Sequence, residues 1–141
     1  MAWILAFTGI PAAISNALLG ISNNKIVILL IINVILLVVG TFMDITPAIL
    51  IFTPIFLPVV TSDLIGMTAI QFGIMLVFNL CIGTITPPVG NILFVGVRVA
   101  KTSIERVIKP LLPYYGVIIL VLLLVTFVPA ISMFLPRLMG F

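Results

Sequence analysis

The sequence has very few charged residues for its length. Its 141 residues include six basic and three acidic ones, which is 6% of the chain and a net charge of +3. Soluble domains carry about 25% charged residues, so this chain has too few to cover a water-exposed surface. The basic residues stand at the ends of apolar segments. That scatter argues against a nucleic-acid partner.

Histidine is absent, and Cys81 is the single cysteine. Zinc and haem sites need clusters of histidine and cysteine, and one cysteine provides no disulfide framework. The serines have no histidine that could act as their general base. We therefore predict neither a resident cofactor nor an enzyme.

Apolar residues make up 64% of the chain and occur in long runs. A spanning helix takes about 20 residues, and the hydrocarbon core is about 30 Å thick. We predict an all-α integral membrane fold with a single membrane domain over residues 1–141. Residues 1–24 would hold the end of a span and an interfacial helix. Residues 111–135 would form the last transmembrane helix.

The first interruption of the apolar pattern is GTFMDIT, residues 40–46. Thr46 is a good N-cap and Pro47 a good first helical residue, so we expect one helix to end and another to begin here. Each flanking arm has about 14 residues and a length of about 21 Å, which is short of the hydrocarbon thickness. Residues 25–60 are therefore predicted to form a re-entrant helical hairpin.

The second interruption is GTITPPVGN, residues 83–91. Pro87 and Pro88 have no N–H donor, so the helix cannot continue through them. The apolar residues on both sides add up to one spanning length. We therefore predict a discontinuous transmembrane helix over residues 67–101, with its break buried in protein or lining a cavity.

The second break is expected to leave the carbonyls of Ile82, Gly83 and Thr84 without helical partners. Such carbonyls, with threonine hydroxyls, are hard oxygen ligands suited to Na⁺. The start of the next half-helix, near Asn91, favours an anion instead. The alternative is a proline kink that serves packing alone. Two interrupted segments in one chain favour a transport site over that alternative.

Asp44 is the only acidic residue inside an apolar region. A carboxylate at the bilayer centre costs about 2.5–3.5 kcal/mol on insertion scales, and acids in membrane segments are functional by default. Two interpretations stay open. Asp44 either caps the helix that follows it, or it lies beside a cation site as a ligand or as an organiser of the tip.

Four other polar side chains receive plainer interpretations. Asn33 and Asn79 lie within apolar runs and are expected to hydrogen-bond between helices rather than to bind ligands. Tyr114 and Tyr115 open the last apolar run and are expected to anchor it at the membrane interface.

Four basic residues fall in one short connection: Arg98, Lys101, Arg106 and Lys109. The positive-inside rule places this connection in the cytoplasm. Residues 102–110 are predicted to form a short amphipathic helix there. The last span then delivers the C-terminus to the periplasm, and Lys25 and Asp63 would also lie on the outer side.

Two segments carry a family resemblance: LLVVGTFMDITPAILIFTPIFLPV and QFGIMLVFNLCIGTITPPVGNILFVG. Together they resemble the large membrane subunit of tripartite ATP-independent periplasmic (TRAP) transporters, the DctM-like permease. The paired pattern G-x-x-x-D-x-x-P-A and G-x-x-T-P-P-V-G is more specific than either half. The run ERVIKPLLPYYGVIILVLLLVTFVPAISMFLP is similar to that family's C-terminal end. The resemblance covers nearly the whole chain and corresponds to the second half of such a permease.

The resemblance implies a Na⁺-driven symporter of the bacterial inner membrane, with this chain as one inverted repeat of an elevator-type transporter. The implied partners are a small DctQ-like membrane subunit, a DctP-like periplasmic binding protein and the N-terminal half of the permease. The implied substrate is an organic acid, such as a C4-dicarboxylate or a sialic acid. We expect no transport from this half alone. The main alternative is a truncated or structural small membrane protein with no transport activity of its own.

The resemblance also implies two sets of site residues, where the tip at residues 40–46 faces the break at residues 83–91. The Na⁺ ligands, mainly backbone carbonyls, would come from Gly40, Thr41, Asp44, Gly83, Thr84 and Thr86. The substrate would contact Thr46, Pro87, Pro88, Gly90 and Asn91.

The predicted hairpin leads to a test of topology. Cysteines introduced at Lys25 and Asp63 should both react with an impermeant thiol reagent added from the periplasmic side, because both ends of a re-entrant hairpin lie on one face. Labelling of the two positions from opposite sides would contradict the hairpin.

Overall fold

The computed structural model describes residues 9–21 and 24–140, and every regular element in these ranges is helical. The helices are α1 (Ile10–Ile21), α2 (Lys25–Phe42), α3 (Ile45–Val60), α4 (Ala69–Ile85), α5 (Asn91–Val99), α6 (Ile104–Phe127) and α7 (Pro129–Leu138). The predicted all-α class is confirmed over the described part of the chain. Most of the stretch predicted to end a span, residues 2–10, lies outside the described residues.

Helix α4 is the centre of the fold. It contacts α2, α3, α5, α6 and α7, and both arms of the hairpin pack on it. The core residues of these three helices are Ile28, Leu29, Ile32 and Leu36 from α2, Ala48, Ile55, Phe56, Val59 and Val60 from α3, and Phe72, Met75, Leu76 and Leu80 from α4. The outward faces of α2 and α6 are apolar and exposed, as helices that face lipid require.

Two contacts show that α2 and α4 run parallel to each other. The Asn79 Nδ2 atom donates a hydrogen bond to Asn33 Oδ1 at 2.7 Å, and further along both helices Gly40 packs against Gly83. Helix α3 runs back in the opposite direction, and residues 61–68 connect it to α4. The closed end of the α2–α3 hairpin therefore lies beside the C-terminal end of α4.

A buried polar network joins α2, α4 and α6. Besides the bond between Asn79 and Asn33, the Thr126 hydroxyl lies 3.4 Å from Asn33 Oδ1, and Gln71 Nε2 donates to the Thr126 carbonyl at 3.2 Å. The predicted interhelical role of the two asparagines is confirmed. Such side-chain bonds hold helices together where the hydrophobic effect between them is weak.

Helices α2 and α6 are long and apolar enough to cross a membrane, with 18 and 24 residues. Helix α2 is longer than the predicted arm because Gly40 and Thr41 are helical, and the Thr41 hydroxyl donates to the Leu37 carbonyl at 2.9 Å. The length of α2 therefore no longer decides between a re-entrant hairpin and two full spans. Re-entrance stays a prediction.

The tip of the hairpin is narrower than the predicted segment 40–46. Only Met43 and Asp44 are extended, with ψ angles of 150° and 153°, and α3 begins at Ile45. The N-cap position is held by Asp44, so the prediction of Thr46 as the cap is wrong. Pro47 still falls in the first turn of the helix, where its missing N–H group would have had no helical partner.

The second break is also shorter than predicted. Helix α4 continues through Gly83 and Thr84 to Ile85, and α5 begins at Asn91. A proline removes the donor to a carbonyl four residues earlier, but the residues between them can stay helical. The backbone leaves the helix at Thr86, with ψ of 130°, because the residue before a proline avoids helical geometry.

The C-terminal helices differ from the predicted division into 102–110 and 111–135. Helix α6 is continuous from Ile104 to Phe127 through Pro110 and Pro113, since membrane helices tolerate interior prolines when neighbours satisfy the freed groups. The chain breaks instead at Val128, which has φ −109° and ψ 93°. Pro129 follows it, disfavours helical geometry at Val128 and opens α7.

Candidate functional site

Four helix ends lie close together at the C-terminal end of α4. Helix α2 ends and α3 begins at the tip, residues 43–44, while α4 ends and α5 begins at the break, residues 86–90. Helix C-terminal ends carry partial negative charge and N-terminal ends partial positive charge. This junction therefore offers one pair of ends that suits a cation and another pair that suits an anion.

A side-chain hydrogen bond connects the tip to the break. The Asn91 Nδ2 atom donates to Asp44 Oδ1 at 2.7 Å. Asp44 stands at the N-cap of α3 but makes no side-chain cap bond, so the capping interpretation is not supported by the geometry. The sequence patterns predict different ligands for Asp44 and Asn91 and do not pair the two residues.

The backbones of α2 and α4 touch at Gly40 and Gly83. A Cβ atom added at Gly83 would lie 2.5 Å from the carbonyl carbon of Gly40 and 2.8 Å from the amide nitrogen of Thr41. A Cβ atom at Gly40 would lie 3.1 Å from the Cα atom of Leu80. Only a residue without a side chain fits at Gly83, because backbone atoms on the facing helix cannot move aside.

The three threonines of the predicted Na⁺ site all donate to carbonyls of their own helix. Thr41 bonds to the Leu37 carbonyl, Thr84 to that of Cys81 at 2.7 Å, and Thr86 to that of Ile82 at 2.7 Å. Because each hydroxyl hydrogen is committed to the backbone, the oxygen keeps lone pairs for another partner. Thr41 and Thr84 are buried, and Thr86 is half-buried.

The carbonyls near the break are better satisfied than predicted. The Ile82 carbonyl accepts from the Thr86 hydroxyl, and the Gly83 carbonyl accepts from the Thr86 amide at 3.0 Å. The expectation that both oxygens lack partners is wrong, because Thr86 supplies two donors in the last turn of the helix.

Gly90 lies where two carbonyl oxygens of the break converge. It has φ of +32°, and a Cβ atom there would lie 2.9 Å from the Thr86 oxygen and 3.3 Å from the Thr84 oxygen. Both the left-handed backbone and the crowding by these oxygens require glycine at this position. Gly90 is also the N-cap of α5.

A cavity of about 480 Å³ opens between the end of α2, the break and α6, and Thr41, Thr86, Pro87 and Pro88 line it together. Residues of the predicted Na⁺ site and residues of the predicted substrate site therefore line the same cavity. Thr46 is exposed in the first turn of α3. No recorded hydrogen bond in the described ranges joins Thr46 to the other predicted site residues.

Tyr115 is a residue of this region that sequence reasoning missed. It also lines the cavity, and its hydroxyl donates to the carbonyl of Ile85, the last residue of α4. The sequence offered only the general preference of tyrosine for the membrane interface, which applies equally to Tyr114. No signal distinguished the two residues.

Comparison with known proteins identifies the family. Residues 1–131 match the family described as the DctM component of the tripartite ATP-independent periplasmic transporter. The chain belongs to the DctM family. The predicted resemblance to the DctM-like permease is confirmed.

Several curated relatives of this DctM segment are known. It is 48% identical over 93% of its length to the isethionate TRAP transporter permease protein DctMQ of Oleidesulfovibrio alaskensis. It is 41% identical over 96% of its length to the C4-dicarboxylate TRAP transporter large permease protein DctM of Vibrio cholerae. A Salmonella typhimurium protein, YgiK, is 52% identical over 98% of the chain.

The segment is much shorter than these relatives. It spans 31% of YgiK, 30% of the Vibrio cholerae permease and 20% of the Oleidesulfovibrio alaskensis protein. No solved structure matches the chain. The structure therefore corresponds to about a third or less of the length of these DctM-type relatives.

Within the described ranges, no group of three or more histidine, cysteine, aspartate or glutamate side chains comes together. The oxygens at the tip and the break of this DctM segment are threonine hydroxyls, backbone carbonyls and the Asp44 carboxylate, and those of the Thr84 and Thr86 carbonyls converge near Gly90. Hard oxygen donors of this kind suit an alkali or alkaline-earth cation rather than a transition metal.

The contact between α2 and α4 leads to a prediction about stability. In a complete permease that carries this segment, Gly83→Ala should lower the free energy of unfolding by about 1–3 kcal/mol or more, the usual effect of overpacking. The reason is that the added methyl group meets backbone atoms of Gly40 and Thr41. Thermal unfolding of the purified protein in detergent measures the change.

Gly73→Ala is the matched control, because Gly73 lies in the same helix and nothing lies within 4 Å of its added Cβ atom. This variant should be neutral or more stable, since alanine favours helix over glycine. Equal stability of the two variants would contradict the close contact at Gly83.

Proposed function

We propose that this chain forms the C-terminal part of the permease subunit of a Na⁺-coupled TRAP transporter that imports an organic acid. Family membership supports the role of a permease. Relatives named for isethionate, C4-dicarboxylate and 2,3-diketo-L-gulonate support an organic anion as the substrate. The observation that carries the proposal is the hydrogen bond between Asp44 and Asn91, because it joins the two interruptions into one junction.

A Na⁺ ion is proposed to bind where α2 and α4 end. The C-terminal ends of helices favour cations, and interrupted helices in transporters use backbone carbonyls for coupling ions. The proposed ligands, mainly backbone carbonyls, come from Gly40, Thr41, Asp44, Gly83, Thr84 and Thr86. The threonine lone pairs support this assignment, as does the second carboxylate oxygen of Asp44, which makes no hydrogen bond within the described part of the chain.

The organic acid is proposed to bind where α3 and α5 begin. The first N–H groups of a helix are free donors and favour an anion. Asn91 is the first residue of α5 and Thr46 the second of α3, so their backbone amides belong to these two N-terminal turns. Pro87, Pro88 and Gly90 would complete the wall between the two helix starts.

The remaining architecture is proposed from the length of the relatives. They are about three times as long as this chain or longer, which leaves room for the N-terminal half of an elevator-type permease with a matching inverted repeat. A DctQ-like membrane subunit and a DctP-like periplasmic protein are proposed as partners. The protein would lie in the bacterial inner membrane, with the basic residues of 98–109 in the cytoplasm and the C-terminus in the periplasm.

The proposed ion site predicts an effect of Asp44→Asn in a complete permease that carries this segment. The variant keeps an acceptor oxygen for Asn91 but removes the negative charge. The Na⁺ concentration for half-maximal substrate uptake should rise about tenfold, which corresponds to about 1.4 kcal/mol of binding free energy. Uptake into proteoliposomes, with the partner subunits present and Na⁺ varied, measures this concentration.

Two control variants distinguish the effect of the Asp44 charge from the effect of its hydrogen bond to Asn91. Asp63→Asn removes one negative charge from the exposed loop between α3 and α4 and should leave the Na⁺ dependence unchanged. Asn91→Ala breaks the bond to Asp44 but keeps the charge, so it should act less on Na⁺ than Asp44→Asn. If an Asp44→Asn variant is expressed normally and keeps the wild-type Na⁺ dependence, the Asp44 charge does not contribute to Na⁺ binding. The ligands would then be backbone carbonyls.

A further inference from the structure

We infer that Tyr115 is a positioning residue that holds the broken end of α4 in place from α6. The Tyr115 hydroxyl donates a hydrogen bond to the Ile85 carbonyl, at the last residue before the break. The inference rests on the proposed Na⁺ site, since it concerns the backbone that supplies that site's ligands. Tyr115 itself is not a ligand.

The Ile85 carbonyl has lost its helical donor. In a continuous helix it would accept from the amide of Val89 four residues later, but Val89 lies in the break. Within the described ranges, the Tyr115 hydroxyl is its only recorded donor. An unpaired carbonyl away from water is unfavourable, so the hydroxyl from α6 replaces the missing bond.

In the sequence, the Ile85 carbonyl lies between the carbonyls of two residues of the proposed Na⁺ site. Thr84 and Thr86 flank Ile85, and their carbonyl oxygens converge on Gly90. Peptide groups are planar, so fixing the Ile85 carbonyl also fixes the peptide nitrogen of Thr86. A bond from Tyr115 therefore holds the Cα atoms of Ile85 and Thr86, to which the two neighbouring peptide groups are attached.

The tyrosine ring adds a second constraint. It lines the cavity of about 480 Å³ together with Thr41 of α2 and with Thr86, Pro87 and Pro88 of the break. The side chain thus bounds the cavity next to the end of α4. A ring and a hydroxyl on one side chain meet both needs, since tyrosine combines an apolar body with a polar tip.

The neighbouring Tyr114 supplies a matched control. Its side chain is 64% exposed, and its hydroxyl makes no hydrogen bond with residues 9–21 or 24–140. The two residues are adjacent on α6 and chemically identical, so a general preference for the membrane interface would affect them alike. Tyr115 differs from Tyr114 in its contact with Ile85, its deeper burial and its place in the cavity lining.

The test compares Tyr115→Phe with Tyr114→Phe in a complete permease that carries this segment. Thermal unfolding in detergent is followed as Na⁺ replaces K⁺ at constant ionic strength. Tyr115→Phe should raise the Na⁺ concentration for half-maximal stabilisation about fivefold, the size expected for one lost hydrogen bond. Tyr114→Phe should match the wild type. A general loss of stability would lower the unfolding temperature in K⁺ without moving this Na⁺ midpoint.

A rescue variant distinguishes the effect of the Tyr115 hydroxyl on the Na⁺ midpoint from the effect of its ring. Replacing Tyr115 with 4-aminophenylalanine keeps a donor at the same place and should restore the wild-type Na⁺ midpoint, whereas 4-methoxyphenylalanine has no donor and should not. If Tyr115→Phe yields no folded protein, this second pair carries the comparison.

Two outcomes contradict different claims. A Na⁺ midpoint of Tyr115→Phe equal to the wild-type value, or equal midpoints for the amino and methoxy variants, would overturn the positioning role alone. A wild-type protein stabilised equally by Na⁺ and K⁺ would overturn the proposed Na⁺ site and, with it, the premise of this inference.

Discussion

The backbone contact between Gly40 and Gly83 is the constraint on which the rest of the site depends. A methyl group at Gly83 would fall within 2.5 Å of the facing backbone, so α2 and α4 can approach this closely only through glycine. Close approach at this point brings the end of α2 to the end of α4. The tip and the break then lie near enough for the Asn91 side chain to reach Asp44.

The bilayer explains why the interruptions are short. Each helix end exposes backbone groups that need partners, and lipid supplies none. At the break, Thr86 satisfies the carbonyls of Ile82 and Gly83, and Tyr115 satisfies that of Ile85. The helices therefore extend as far as their carbonyls find donors, and only residues 43–44 and 86–90 leave helical geometry at the tip and the break.

Contacts between residues distant in the chain explain the errors in the predicted boundaries. Thr46 is a better N-cap than most residues by propensity, yet α3 begins one residue earlier than that cap, at Ile45. Asp44 takes the cap position but gives its side chain to Asn91, a partner 47 residues away that local propensity does not include. The division of the C-terminal region failed for a related reason, because prolines inside a packed membrane helix do not always end it.

The sequence by itself determined the class of the protein, its family and the approximate places of both interruptions. These follow from local causes, since long apolar runs, paired prolines and a lone acid act on a few neighbouring residues. Only the tertiary structure decided which interrupted residues meet. The partners of Asp44 and Ile85, and the unequal roles of Tyr114 and Tyr115, depend on how α2, α4 and α6 pack against one another. Periodicity and propensity carry no information about contacts between segments that are distant in the chain.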